Sequence, residues 1–183
     1  MKAVALLMVI AHVALGDSPD PTKVCMPDQL SATEFNLMDA SFANVTVDFG
    51  KKRSARLENG VRTVVDYANL KAYVIDSNGC TSSAASPYQL LFKCLPAMAK
   101  YAGQLAFGVE SPRTLDVWRL NLGTFNLTML GSTTPGVGSY PVLRKLFTPS
   151  GFTISLLENA RPKVFDPTVL DIPNDCTEAP VVG

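Results

Sequence analysis

The amino-acid sequence predicts a mainly β protein, an antiparallel sandwich or barrel built as a single domain with one or two short helical turns. Two observations carry that expectation. Apolar and polar residues alternate in several short stretches, which is the period of a half-buried strand. Gly, Pro, Asn and Ser punctuate the chain between those stretches. A third observation, four cysteines in the part that follows an apolar leader, adds cross-links to the picture.

The leader comes first. Met1 and Lys2 precede an apolar run from Ala3 to Leu15, interrupted by His12 and followed by Gly16. A basic start, a short apolar core and small residues at the end read as a secretory signal over 1–16, cut after Gly16. A transmembrane anchor needs about 20 apolar residues, and this run is shorter. Residues 17–183 are then one domain's worth of chain, long enough to bury roughly 70% of its unfolded surface. No later run is long enough to span a bilayer.

Residues 17–29 are rich in Pro and Asp and read as an extended segment held by Cys25. In Asn44 to Phe49, Val45, Val47 and Phe49 share one face, and Asn44, Thr46 and Asp48 the other. Val61–Tyr67 and Lys71–Asp76 are the next strands, followed by a Ser77-Asn78-Gly79 turn. In 87–102, Leu90, Leu91, Leu95, Met98 and Ala99 fit a helical face that Pro96 interrupts, so short helical turns are expected there. Gln104–Val109, Leu115–Leu122 and Thr124–Met129 return to strand. Gly131–Pro141 reads as a loop, with Leu143–Phe147 and Phe152–Leu157 as late strands. Beyond Arg161, Pro162, Pro167 and Pro173 mark a tail lying over a surface, fixed by Cys176.

Charge and composition exclude some functions. The chain carries 16 basic and 16 acidic residues, and Lys2 leaves with the leader. Nothing neutralises a run of phosphates, so nucleic acid is not an expected partner. Lys51, Lys52, Arg53 and Arg56 form one short basic cluster, read as a solvated loop. The single histidine is His12, in the leader. Ser-His-Asp and Cys-His catalysis and His-bearing zinc sites therefore lack their imidazole, and no enzyme is expected.

Cys25, Cys80, Cys94 and Cys176 are an even set in an oxidising compartment, hence two disulfides. Counting leaves three pairings open. Asn44-Val45-Thr46 and Asn126-Leu127-Thr128 are acceptor sites for N-glycans, each asparagine on the polar face of a strand. Asp48, Asp66, Asp76, Asp116, Asp166, Asp171 and Asp175 are scattered and form no calcium loop. Weak calcium binding by carboxylates gathered in space stays open, and no other cofactor is expected. Phe107, Trp118, Phe125, Met129, Phe147, Phe152, Ile154 and Leu156 either line a cavity between sheets or fill a core. Residue type does not separate the two.

Particular residues resemble the ependymin-related family, in its invertebrate form. They are Cys25-Met26-Pro27, Val64-Val65-Asp66-Tyr67, the stretch from Tyr73 to Thr81, Cys94-Leu95-Pro96, Val117-Trp118, and the tail from Phe165 to Pro173 before Cys176. The ordered set spans nearly all of 17–183. The chain departs from the family's vertebrate pattern by lacking a cysteine after the Trp118 region and a further one near the end.

The resemblance implies a secreted, non-enzymatic glycoprotein. Its fold would be a half-open antiparallel β-sandwich, like bacterial lipoprotein carriers, with an apolar pocket and one or two short helices. It also implies pairing of Cys80 with Cys176, leaving Cys25 with Cys94, and a homodimer formed through the sheets. Implied partners are a lipid or pigment and components of extracellular matrix, including the organic matrix of mollusc shell, with calcium binding linked to some members.

Overall fold

In the computed structural model the described residues are 19–86, 89, 91–107, 113–123, 125–134 and 138–179. The leader over 1–16 lies outside them. Twelve strands are found there: β1 Gln29–Asn36, β2 Ser41–Asp48, β3 Arg53–Glu58, β4 Val61–Asp66, β5 Lys71–Asp76, β6 Gly79–Ala84, β7 Lys100–Phe107, β8 Arg113–Asn121, β9 Asn126–Thr134, β10 Gly138–Thr148, β11 Gly151–Arg161 and β12 Thr177–Glu178. The helical elements among the described residues are two 3-10 turns, Pro21–Lys23 and Pro167–Leu170. Asp20 and Asp166 cap them, each accepting a backbone N–H two residues on.

All the strands belong to one sheet, in the order β12-β6-β5-β4-β3-β2-β1-β11-β10-β9-β8-β7. Two meanders, β1 to β6 and β7 to β11, are sewn together where β1 pairs antiparallel with β11. Only β12 joins parallel, on β6. The sheet does not close: β7 and β12 are its free edges. It curls enough that residues of β1–β3 and of β8–β10 line a common cavity. The result is a half-open antiparallel sandwich, and no helix among the described residues is long and apolar enough to cross a membrane.

Local chemistry explains the elements that composition obscures. Asn59 and Gly60 both hold positive φ, at 50° and 79°. That is the two-residue turn whose twist suits a hairpin, and it joins β3 to β4. The basic cluster is not a solvated loop throughout: Lys51 and Lys52 occupy the turn, while Arg53 and Arg56 stand in β3. Arg53 bonds Asp66 on the neighbouring strand, and Arg56 bonds Glu34 and Glu58. Paired charges let a strand carry two arginines.

Residues 91–102 depart from the helical expectation. Leu90 lies outside the described residues, and the described part is extended or turned until β7 begins. Cys94 forms a bridge with Cys25, with Met26 N–H bonded to Lys93 O and Leu95 N–H bonded to Val24 O. Backbone that pairs with a neighbouring segment cannot also close helical bonds. Gly131–Thr134 and Gly138–Pro141, expected in a loop, extend β9 and β10 instead.

Each sheet half needs a cover, and each cover is pinned by a disulfide. The tail crosses the outer face of β3–β5, where Leu170 packs fully buried against Ala55 and Val64. Arg53 and Arg62 bond the carbonyls of Leu170 and Thr168, and Cys80–Cys176 closes the tail onto β6. On the inner face, Val24 and the segment around Leu95 pack on Trp118 and Leu120, and Cys25–Cys94 locks them together. The bridges close chain separations of 69 and 96 residues, each worth about 4 kcal/mol on chain-entropy grounds.

Replacing both Cys80 and Cys176 by Ser should lower stability by roughly 2–4 kcal/mol and expose the 161–179 tail to limited proteolysis before the rest of the chain. Denaturant melts and peptide mapping check this. An unchanged melt with a protected tail would contradict the pinning role.

Candidate ligand cavity

Strand alternation decides which side chains face inward. On β1, β2 and β3 the inward set is Leu30, Ala32 and Glu34, then Ala43, Val45 and Val47, then Ser54 and Arg56, matched across the ladders Leu30–Val47, Glu34–Ala43 and Val47–Ser54. From the other half come Trp118 and Leu120 of β8, Leu127 and Met129 of β9, and Arg144 and Leu146 of β10. Of these, Leu30, Val45, Val47 and Ser54 from the first half and all six from the second line a cavity of about 210 Å³. Leu91, Phe92 and Leu95 of the inner cover complete its wall.

Gly138, at φ 124°, lets that cover lie close. A Cβ there would stand 3.0 Å from the Cys25 carbonyl oxygen and 3.2 Å from Pro27 N, and Ser139 N–H donates to the same carbonyl.

Of the residues expected at a cavity, Trp118, Phe125 and Met129 line it. Trp118 is only 2% exposed, with Tyr101 tilted against it at 5.1 Å between centroids. Phe147, Phe152, Ile154 and Leu156 do not line it. They stand on the outer face of β10 and β11, where Phe147 and Phe152 pair at 5.7 Å and remain 42% and 44% exposed. The reason is parity: their neighbours Arg144 and Leu146 take the inward positions, and a one-residue slip reverses every face. The bulge between Pro141 and Leu143 sets that register on β10. Phe107 ends β7, and its side chain lies outside the described residues. Asn44 and Asn126 are exposed on the outer face, Asn126 opposite Phe147.

Charge that no motif announced adjoins the cavity through Arg144, which lines it. Glu34 is buried, with its side chain 8% exposed. Arg144 donates to it at 2.7 Å from one side and Arg56 at 3.1 Å from the other. Burial pushes the Glu34 pKa up, but the Arg144 charge, a Ser155 hydroxyl and Arg56 outweigh it and hold the carboxyl below its ordinary 4.5. Tyr67, half-buried nearby, shares a hydrogen bond with Ser54 at 2.9 Å. Burial raises its pKa, and the Ser54 hydrogen bond and the Arg144 charge pull the other way. Asp116 also lines the wall, held by the Tyr101 hydroxyl and the Gln104 amide. Among the described residues no group of three His, Cys, Asp or Glu side chains gathers to hold a metal.

No family model and no curated protein matches the chain. Among solved structures, it is similar to an uncharacterised conserved protein from Thermus thermophilus, with a TM-score of 0.54 and 10% identity. The match covers 87% of this chain and 94% of that one. At that identity the likeness concerns the fold alone.

Because the folded Glu34 pKa is depressed, its stabilising contribution is present above pH 4.5 and fades as pH falls through the folded value. Glu34→Gln should lower stability at pH 7 by about 1–3 kcal/mol, by leaving two guanidiniums short of a partner, and should flatten the acid limb of the pH–stability profile. Urea melts between pH 3 and 7 check both. A wild-type acid limb in the variant would contradict the assignment.

Proposed function

We propose that this protein is a secreted, non-enzymatic carrier of the ependymin-related type that binds an apolar small molecule, a lipid or pigment, between the two halves of its sheet. The observation that carries the reading is the cavity, whose wall is mostly aliphatic and aromatic with few polar groups, as in small-molecule sites generally. A sheet that merely filled its core would bring its inner faces into contact, and here a space remains between Trp118 and Met129 on one side and Val45 and Val47 on the other. The two disulfides suit an oxidising, extracellular setting. The exposed positions of Asn44 and Asn126 support N-glycans at both sites.

A structural role in extracellular matrix, such as the organic matrix of a mollusc shell with weak calcium binding, is the second reading. It draws on the outer face, where exposed Phe42, Phe147 and Phe152 offer apolar contact away from the cavity. The same surface supports a homodimer.

Native mass spectrometry of protein from its natural secretion, prepared without detergent, tests the carrier reading. The expected spectrum shows glycan mass at Asn44 and Asn126 and one bound apolar molecule that organic extraction releases. Repeatedly empty protein would overturn the carrier reading and favour the matrix role.

A further inference from the structure

The cavity wall is divided. Trp118, Met129, Arg144 and Ser155 stand opposite one another on the successive strands β8 to β11. The guanidinium is thus two strands from the indole, about 10 Å in strand spacing. Over that distance the wall passes from aromatic and thioether surface to a cationic group. Across the cavity, Tyr67 and Ser54 carry hydroxyls on the same space.

Arg144 is held but not used up. One of its terminal nitrogens donates to Glu34, yet the side chain is 46% exposed while its partner is 8% exposed. A guanidinium offers five donors in a planar fork, so the edge turned from Glu34 keeps donors free to reach into the cavity. The bond to Glu34 tethers one end of the fork. An entirely apolar guest would strip water from Arg144 and Tyr67 and return no hydrogen bond, which carries a desolvation cost.

From this we infer that the cavity is built for an amphiphile with a single carboxylate head, whose chain lies along Trp118 and Met129 and whose head meets the free edge of Arg144 and the Tyr67 hydroxyl. The inference rests on the carrier reading and specifies its ligand class. Local charge weighs more heavily against a dianion than against a monoanion. Glu34, Glu58, Arg56 and Arg144 already balance, with Arg56 shared by both carboxylates, and Asp116 lines the same wall. A doubly charged phosphate would meet more repulsion there than a planar carboxylate, which suits the fork.

The test is a displacement titration on the intact, disulfide-bonded protein, reading an environment-sensitive apolar fluorophore. Decanoate, methyl decanoate and decyl phosphate compete in turn. Decanoate should displace the probe at least about ten-fold better than its ester, the worth of one charge-assisted pair. Arg144→Met should erase that preference. Tyr67→Phe, which keeps the Arg144–Glu34 pair, should narrow it and serves where Arg144→Met fails to fold. Equal affinity of acid and ester for the wild type would overturn the head-group inference and leave the carrier reading standing. Tighter binding of decyl phosphate than of decanoate would overturn the carboxylate assignment. No binding of the probe or of any competitor would overturn both readings.

Discussion

A sheet of this width that does not close has two faces to shield from water, and the chain supplies a separate cover for each. The outer cover is the tail, anchored by fully buried Leu170 and by two arginines that bond its carbonyls. The inner cover is the paired backbone of Val24–Met26 and Lys93–Leu95. Each is short, and neither could hold its position by hydrophobic contact alone against the entropy of a free segment. The disulfides remove that entropy, one per cover. The Cys25–Cys94 bridge is therefore part of the architecture that walls the cavity, as well as a source of stability.

The cavity follows from the same geometry. Antiparallel pairing of β1 with β11 joins meanders that are distant in sequence, so the inward faces of both halves look at one another. Trp118, Leu120, Leu127 and Met129 then confront Leu30, Val45 and Val47. The ion pairs on Glu34 tie β1 to β10 and to β3. They bridge the seam between the two meanders at the place where the wall changes from apolar to charged. One cluster thus ties the strands on either side of the seam and places a cation, Arg144, in the cavity wall.

Much of the fold was legible in the sequence because alternation survives wherever one face is apolar. β5 runs over Lys71–Asp76 as the pattern indicates, and β4 and β8 fall within a residue or two. The strands that the pattern hides carry polar residues inward. β1 places Glu34 among apolar neighbours, β3 holds Ser54 and Arg56, and β6 is nearly all small and polar. Asn59-Gly60 was a hairpin signal that could have located β3. Part of the cavity was legible too: Trp118, Phe125 and Met129, three of the eight residues expected at a cavity, line it. Phe147, Phe152, Ile154 and Leu156 have the same composition on the opposite parity, and the ladders with neighbouring strands, irregular before Leu143 and between Ser31 and Thr33, decide which parity faces in. The Arg144–Glu34 contact joins residues 110 apart, and nothing local in either stretch foreshadows it.

Trp118 is the single tryptophan of the chain and sits in the cavity wall. That makes its fluorescence the most direct reporter of where a ligand goes. A brominated acyl chain, titrated into the intact protein, should quench that emission saturably and in step with binding measured by calorimetry. Stoichiometric binding with Trp118 emission unquenched would place the ligand elsewhere and contradict the claim that the space between the two sheet halves is the binding site.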